Sequence, residues 1–274
     1  MQPRFGEPPG RLATVTVKGV LFDFSGTLFH IESPVSWLGA AVARCGLGGT
    51  LGEDELHRVA GELSTAGAQP GGAPPREVPA HLTEVWAQRD RSAAEHRAAY
   101  LGLAREVSLP AQELYEALYA RHMEPAAWHP YPDAAAVLTA LRGRGVRIAV
   151  VSNIGWDLRP VFRAHGLDEF VDAYVLSYEH GVQKPDARLF AAACREIGFP
   201  PGDVLMVGDS PEADGGAGRL GCAVHLVEPL PVTERREGLV AVLGLAGAGG
   251  QGARWAVGPG RRDPGMDDGT MRPS

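Results

Sequence analysis

The sequence has few of the residues that stabilise small disulfide-linked or zinc-bound folds. Its three cysteines, Cys45, Cys194 and Cys222, lie far apart, and no Cys-x-x-Cys pair occurs. This spacing argues against both a disulfide framework and a zinc site. No apolar run approaches the roughly 18 residues of a membrane-spanning helix. A net charge of −7 gives no reason to expect nucleic acid or an anionic membrane as a partner. We therefore expect a globular cytoplasmic protein.

Two polar residue types are also nearly missing. Among 26 basic residues only Lys18 and Lys184 are lysine, and Asn153 is the one asparagine in the chain. The composition favours Ala, Gly, Pro and Arg throughout, so a residue of a type that is nearly absent elsewhere is a candidate for a specific role. We treat Lys184 and Asn153 as candidates for function if other patterns bring them to a site.

The chain changes its periodicity twice. Residues 14–22 (TVTVKGVLF) are β-branched and apolar, which predicts a buried strand that ends at Asp23. Residues 34–128 have a helical pattern with a Pro/Gly-rich break at 67–79, and helical stretches are predicted at 81–105 and 111–121. Beyond Pro130 helices and strands alternate. Helices are predicted at 133–142, 156–165, 186–197 and 211–220, and strands at 146–151, 171–176, 204–207 and 223–227.

This alternation predicts an α/β fold, a Rossmann-like parallel sheet with helices on both faces. The helical segment would be inserted after the first strand. We predict a flexible leader at 1–13, a core formed by 14–32 and 129–246, a helical insert at 33–128, and a disordered Gly-rich tail at 247–274.

Polar residues follow several of the predicted strands, where open parallel sheets bind ligands. The groups are Asp23-Phe-Ser25-Gly26-Thr27, Ser152-Asn153, Lys184-Pro185 and Gly208-Asp209-Ser210 with Asp214 beyond. Carboxylates that converge repel one another, and a hard divalent cation such as Mg²⁺ removes that cost. Ser152, Asn153 and Lys184 add donors and a positive charge that suit a phosphoryl group.

The order of these motifs, DxxGT, Ser-Asn after a strand, Lys-Pro and GDSxxxD, resembles the haloacid dehalogenase superfamily of hydrolases. The resemblance covers about residues 15–35 and 130–230. It implies that Asp23 is the nucleophile and a magnesium ligand, with the Ser25 carbonyl, Asp209 and Asp214 completing the metal site. Thr27, Ser152, Asn153 and Lys184 would bind the phosphoryl group, and the insert would be a cap that selects a small phosphorylated substrate.

One position departs from the pattern. Phosphatases of this superfamily usually carry an acid/base Asp two residues after the nucleophile, where this chain has Ser25. General acid/base help contributes about 10²–10⁴-fold. The substrate could have a good leaving group, or His30 or Glu32 could replace the missing acid. The chemistry could also be carbon–halogen hydrolysis, which needs no such acid; the retained GDSxxxD carboxylates argue against that reading. A catalytically weak binding or regulatory protein is the third alternative.

Three tryptophans, Trp37, Trp86 and Trp128, lie in or near the insert and are expected in its core, with one of them as a possible part of the substrate pocket.

Overall fold

The computed structural model describes residues 17–246. The predicted leader, the predicted tail and the first three residues of the predicted first strand lie outside the described residues. Within residues 17–246, no helix has both the length and the apolar character needed to cross a membrane.

Five parallel strands form the central sheet in the order β5-β4-β1-β6-β7. A separate two-stranded antiparallel ribbon pairs β2 with β3. The strands are β1 Gly19–Phe22, β2 Phe29–Ile31, β3 Trp128–Pro130, β4 Arg147–Ser152, β5 Ala173–Leu176, β6 Val204–Gly208 and β7 Ala223–Leu226. The helices are α1 Pro34–Arg44, α2 Glu53–Thr65, α3 Thr83–Gln88, α4 Ala93–Arg105, α5 Glu113–His122, α6 Ala134–Gly143, α7 Arg159–Ala164, α8 Ser177–His180, α9 Ala187–Ile197, α10 Ala217–Leu220 and α11 Val240–Leu245.

The sheet is buried on both faces because its strands alternate between two apolar clusters. Val20 and Phe22 of β1 pack with α6, α7 and α11, whereas Leu21 packs with α9 and α10 on the opposite face. Helices on both faces explain why the strands are apolar at nearly every position. The predicted α/β fold with a parallel sheet is confirmed.

The helices between residues 34 and 122 form a hydrophobic cluster of their own, which runs from Trp37 to Tyr119. The chain enters and leaves this region through the β2–β3 ribbon. Two hydrogen bonds join Glu32, which directly follows β2, to the helical region: Arg121 Nε donates to Glu32 Oε1 over 2.6 Å, and Gln69 Nε2 donates to the Glu32 carbonyl over 3.0 Å. The division of the chain into a core and an inserted cap stays a prediction, which this separate cluster supports.

Several element boundaries differ from the sequence prediction. The stretch predicted as one helix at 81–105 is interrupted at Arg89–Arg91, a short 3-10 turn, and α4 begins only after Ser92. Ser92 caps α4: its hydroxyl oxygen accepts from the Glu95 amide over 3.1 Å, and the hydroxyl donates to Glu95 Oε2 over 3.1 Å. The helix predicted at 211–220 consists of a 3-10 turn at Asp214–Gly216 followed by α10. The helix predicted from residue 156 begins at Arg159.

Candidate active site

The polar groups that begin at Asp23, Ser152 and Gly208 come together because their strands are neighbours in the sheet. β1 lies between β4 and β6, and Phe22 is in register with Val150 and Val207. Asp23 directly follows β1, Ser152 ends β4, and Asp209 directly follows β6. Since the three strands are parallel, these residues meet at one edge of the sheet.

A buried lysine joins two of the carboxylates there. The Lys184 ammonium is 2.7 Å from Asp23 Oδ1 and 2.6 Å from Asp214 Oδ1. Asp23, Asp209 and Asp214 each present a carboxylate oxygen within 4.8 Å of the others. No hydrogen bond from residues 17–246 reaches Asp23 Oδ2, so this oxygen is free for a ligand or for attack.

Two glycines make room for these carboxylates. Gly26 has a φ of +77°, and a side chain there would overlap the Asp209 carboxylate. A methyl group at Gly208 would overlap the carboxylate of Asp214 in the same way. The amide of Ser210 also donates to Asp214 Oδ2 over 3.0 Å. The glycines of the two motifs therefore let the acidic side chains approach one another.

The electrostatics of the cluster show an excess of negative charge. Burial, opposed by Lys184 and reinforced by Asp214 and Asp209, raises the pKa of Asp23 to about 7. Burial and the neighbouring Asp214 also raise the pKa of Asp209. Burial disfavours the Lys184 ammonium, but Asp214 and Asp23 outweigh it and raise the pKa of Lys184. Three carboxylates share the cluster with one ammonium, which contacts Asp23 and Asp214, and the Arg235 guanidinium is near enough to lower the pKa of Asp209, so the cluster keeps an excess of formal negative charge.

These residues fit a magnesium ion. Mg²⁺ prefers carboxylate and carbonyl oxygens and keeps some of its water, and its positive charge offsets the excess of negative charge in the cluster. An unpaired buried carboxylate is costly, so the arrangement is easier to maintain with a cation than without one.

The lone asparagine positions the lysine. The Asn153 side chain donates to the Lys184 carbonyl over 3.0 Å and accepts from the Lys184 amide over 2.6 Å. Both the rare Asn153 and the rare Lys184 thus belong to one arrangement, in which the asparagine holds the lysine backbone. Ser152 and Asn153 both line the cleft in front of the carboxylates.

The two remaining predicted residues lie in different surroundings. Ser25 lines the cleft, and its hydroxyl is 3.5 Å from the carbonyl of Gly71 in the Pro/Gly-rich segment of the insert. Thr27 is fully buried, is not among the residues lining the cleft, and its hydroxyl has no hydrogen-bond partner among residues 17–246. The Thr27 side chain therefore does not lie at the cleft, and its contact with the substrate stays a prediction that the geometry does not support.

The residues weighed as substitutes for the missing acid also differ. The Glu32 carboxylate accepts from Arg121 Nε, Arg121 Nη2 and Ser36 Oγ over 2.6, 3.0 and 2.6 Å, so its charge is already compensated. His30 lines the cleft, and burial lowers its pKa. A histidine that is neutral near pH 7 is a poor proton donor.

Arg235 is a residue of the site that sequence reasoning missed. It lies in the segment before α11 and donates to the backbone carbonyls of Gly26 and Thr27, in the loop that follows the predicted nucleophile. Its guanidinium carbon is 3.3 Å from the centroid of the Tyr131 ring, and the residue is buried. No sequence motif around position 235 marks this residue, because an arginine anywhere in the chain can bind a backbone carbonyl.

The cluster opens into a cleft of about 1090 Å³ between the sheet edge and the insert. The insert contributes Gln69, Gly71, Trp86, Arg89, Asp90, His96 and Tyr100 to its wall. Of the three tryptophans, Trp86 and Trp128 line the cleft, whereas Trp37 packs in the insert's own cluster. The cleft is large enough for a small metabolite.

Residues 17–220 match the family of haloacid dehalogenase-like hydrolases. The match covers the carboxylate cluster, the lysine and the helical insert. The chain belongs to this family and is a hydrolase.

Three relatives illustrate the range of the family. The chain is 33% identical to a phosphoserine phosphatase of Thermus thermophilus over 152 residues, covering 51% of this chain and 60% of that protein. It is 30% identical to a glyceraldehyde 3-phosphate phosphatase of Methanopyrus kandleri over 216 residues, covering 75% of this chain and 81% of the relative. It is 36% identical to (S)-2-haloacid dehalogenase 4A of Burkholderia cepacia over 93 residues, covering 33% of this chain and 40% of that enzyme.

The first and third of these matches therefore span less than two thirds of the relatives. Among solved structures, the chain is similar to the L-2-haloacid dehalogenase of Xanthobacter autotrophicus with a TM-score of 0.53. That match covers 82% of this chain and 83% of the dehalogenase at 22% identity, which supports the fold.

Magnesium should stabilise the folded protein through the carboxylate cluster. At about 100 times its Kd a ligand adds about 2.7 kcal/mol to the free energy of unfolding. We expect Mg²⁺ to raise the melting temperature, with a larger rise at pH 8 than at pH 6, because the raised pKa of Asp23 makes protons compete with the metal below about pH 7.

Asp209→Asn should abolish most of this stabilisation and leave the metal-free protein as stable as before or more so, since it removes a repelling charge. Asp54→Asn, an exposed acid in the insert, is the matched control. Equal magnesium stabilisation of the Asp209→Asn and wild-type proteins in thermal melts would contradict a metal site at this cluster.

Arg235→Met should lower the free energy of unfolding by about 2–3 kcal/mol, because it leaves buried carbonyls of the nucleophile loop without a donor. Arg236→Met, one residue away and exposed, should change it by less than about 0.5 kcal/mol. Urea unfolding of both variants checks the difference, and equal stabilities would show that Arg235 does not hold the loop.

Proposed function

We propose that this hydrolase is a magnesium-dependent phosphatase of a small phosphorylated metabolite, with Asp23 as its nucleophile. The observation that carries the proposal is the buried cluster of Asp23, Asp209, Asp214 and Lys184 at the mouth of the cleft. Two phosphatases among the relatives, one aligned over 75% of this chain, support the same reading.

The proposed reaction has two displacements at phosphorus. Asp23 Oδ2 attacks the phosphorus, the bond to the ester oxygen breaks, and the alcohol leaves after taking a proton from solvent. Water then attacks the aspartyl-phosphate, which releases inorganic phosphate and restores the carboxylate. Lys184 would hold the equatorial oxygens while remaining paired with Asp214, and Ser152 would donate to the same oxygens.

Magnesium would be held by Asp23, Asp209, the carbonyl of Ser25 and, directly or through water, Asp214. When bound, it would supply positive charge opposite the phosphoryl oxygens. The segment 33–128 would act as a cap, because its residues form the wall of the cleft opposite the carboxylates.

Dehalogenation of a small acid is the second candidate function. It is favoured by Ser25 in the acid/base position and by the similarity to (S)-2-haloacid dehalogenase 4A. It is disfavoured by the two further carboxylates, since displacement of a halide by Asp23 needs neither a metal nor the acids that hold one.

Assays of phosphate and halide release separate these functions. We expect phosphate release from a panel of phosphorylated metabolites that stops on chelation and returns with Mg²⁺, and no halide release from 2-chloropropanoate. Asp23→Asn should reduce turnover by at least about 10³-fold. Metal-independent halide release would overturn the proposal, and the absence of both activities would favour a binding or regulatory role.

The rate should depend steeply on the leaving group, because Ser25 cannot protonate it. Across phenyl and alkyl phosphates, kcat/KM should fall as the pKa of the leaving alcohol rises, and Ser25→Asp should flatten the slope by restoring an acid worth about 10²–10⁴-fold for poor leaving groups. Ser25→Ala is the matched control and should keep the steep slope. A flat dependence in the unmodified enzyme would contradict the missing acid.

A further inference from the structure

A second polar pair, Arg89 and Asp90, lines the cleft from the insert. Asp90 is only 3% exposed, yet no hydrogen bond from residues 17–246 reaches its carboxylate. Arg89 Nε lies 3.4 Å from Asp90 Oδ2 but is not aligned to donate, and that nitrogen has no other partner in the described chain. His96 Nε2 is 4.0 Å away, and burial lowers the pKa of His96 to about 3, so its ring is uncharged.

The same molecule contains a buried carboxylate whose bonding is complete. Glu32 accepts three hydrogen bonds from Arg121 and Ser36. A buried carboxylate that serves only to hold the fold is normally satisfied in this way. Asp90 lines the cleft, and no hydrogen-bond donor within residues 17–246 reaches its carboxylate oxygens. Such a carboxylate is available to accept a hydrogen bond from a ligand.

Arg89 is held in a defined orientation beside it. Its guanidinium carbon is 4.0 Å from the centroid of the Trp86 ring, and its Nη1 donates to the Trp86 carbonyl over 2.9 Å. Stacking fixes the plane of the group, and a planar guanidinium matches the geometry of a carboxylate. About a quarter of its side chain is exposed, so a ligand in the cleft can reach it.

Core residues anchor this pair close to the candidate catalytic lysine. Ser177, which follows β5, donates to the Asp90 carbonyl over 2.5 Å, and Gln183 donates to the Ala87 carbonyl over 2.9 Å. Gln183 immediately precedes Lys184. Burial raises the pKa of Asp90, and Arg89 and the Lys184 ammonium are both near enough to oppose that rise. The segment 87–90 is therefore fixed in relation to the carboxylate cluster.

We propose that Arg89 and Asp90 bind the end of the substrate remote from its phosphoryl group, and that this end carries a carboxylate next to a hydroxyl or ammonium group. Arg89 binds the carboxylate and Asp90 accepts the hydrogen bond. The inference rests on the proposed function, because the phosphoryl group must lie at Asp23. The substrate class is then the phosphate esters of small hydroxy or amino acids.

The test compares kcat/KM for four phosphate esters that differ only in these groups. O-phosphoserine carries the carboxylate and an ammonium group, 3-phosphoglycerate the carboxylate and a hydroxyl, 3-phosphonooxypropanoate the carboxylate alone, and O-phosphoethanolamine the ammonium alone. We expect O-phosphoserine or 3-phosphoglycerate to exceed 3-phosphonooxypropanoate by about 100-fold or more, since an unpaired polar group in the site penalises the analogue that lacks its partner. Which of the two is preferred tells an ammonium from a hydroxyl.

Two variants assign the preference to the pair. Asp90→Asn should reduce the ratio of kcat/KM for the preferred ester to kcat/KM for 3-phosphonooxypropanoate by about tenfold or more. Arg89→Gln should reduce the ratio of kcat/KM for O-phosphoserine to kcat/KM for O-phosphoethanolamine by about the same factor. If the hydroxy acid is the preferred substrate, Arg89→Gln should instead raise KM for 3-phosphoglycerate. Glu116→Gln, an exposed member of an ion pair on the insert, is the matched control and should keep the wild-type ratios.

Circular dichroism confirms that each variant folds, and Arg89→Gln, at a partly exposed side chain, decides the test if Asp90→Asn does not fold. Ratios near one in the wild-type enzyme, or ratios that the folded variants leave unchanged, would overturn this inference. Hydrolysis of p-nitrophenyl phosphate by the wild-type enzyme separates failure of this inference from failure of the proposed function. If this ester is hydrolysed while the ratios are near one, the phosphatase proposal stands and the inferred substrate class is wrong.

Discussion

The site depends on the ion pairs of one buried ammonium, Lys184, with carboxylates from two different strand ends. A buried charge costs least when its partners lie at hydrogen-bonding distance, and Lys184 meets this condition at 2.7 Å from Asp23 and 2.6 Å from Asp214. Other local features serve that contact. Asn153 clamps the lysine backbone, and the glycines at 26 and 208 admit the carboxylates. The negative charge that remains is what makes a divalent cation the natural complement of the cluster.

The cleft combines one wall set by the sheet with another set by the insert. The first wall carries the carboxylate cluster and Lys184. The second wall is attached to the core at the Glu32–Arg121 pair and again where Ser177 and Gln183 bind the segment 87–90. A wall held at two places can present a specific pair of groups, Arg89 and Asp90, in a fixed position relative to the carboxylate cluster.

Sequence reasoning predicted the sheet and the carboxylates because both depend on local patterns. An apolar strand followed by Asp23 or by Gly208-Asp209 carries its own signal, and parallel strands bring such ends to one edge. Contacts made by a side chain with a distant backbone carry none, which is why Arg235 was missed. The break at Arg89–Arg91 did leave a signal, the Ser92-x-x-Glu95 pattern of a helix N-terminus inside an apparently continuous helix.

Covalent phosphorylation of Asp23 is the most direct test of the account. The enzyme is quenched in acid during turnover of a hydrolysed phosphate ester with Mg²⁺ present, digested, and its peptides are weighed by mass spectrometry. We expect one phosphoryl group on the peptide containing Asp23, and none when Mg²⁺ is chelated. Release of phosphate at the normal rate with Asp23 unmodified, or with the phosphoryl group on another residue, would contradict nucleophilic catalysis by Asp23.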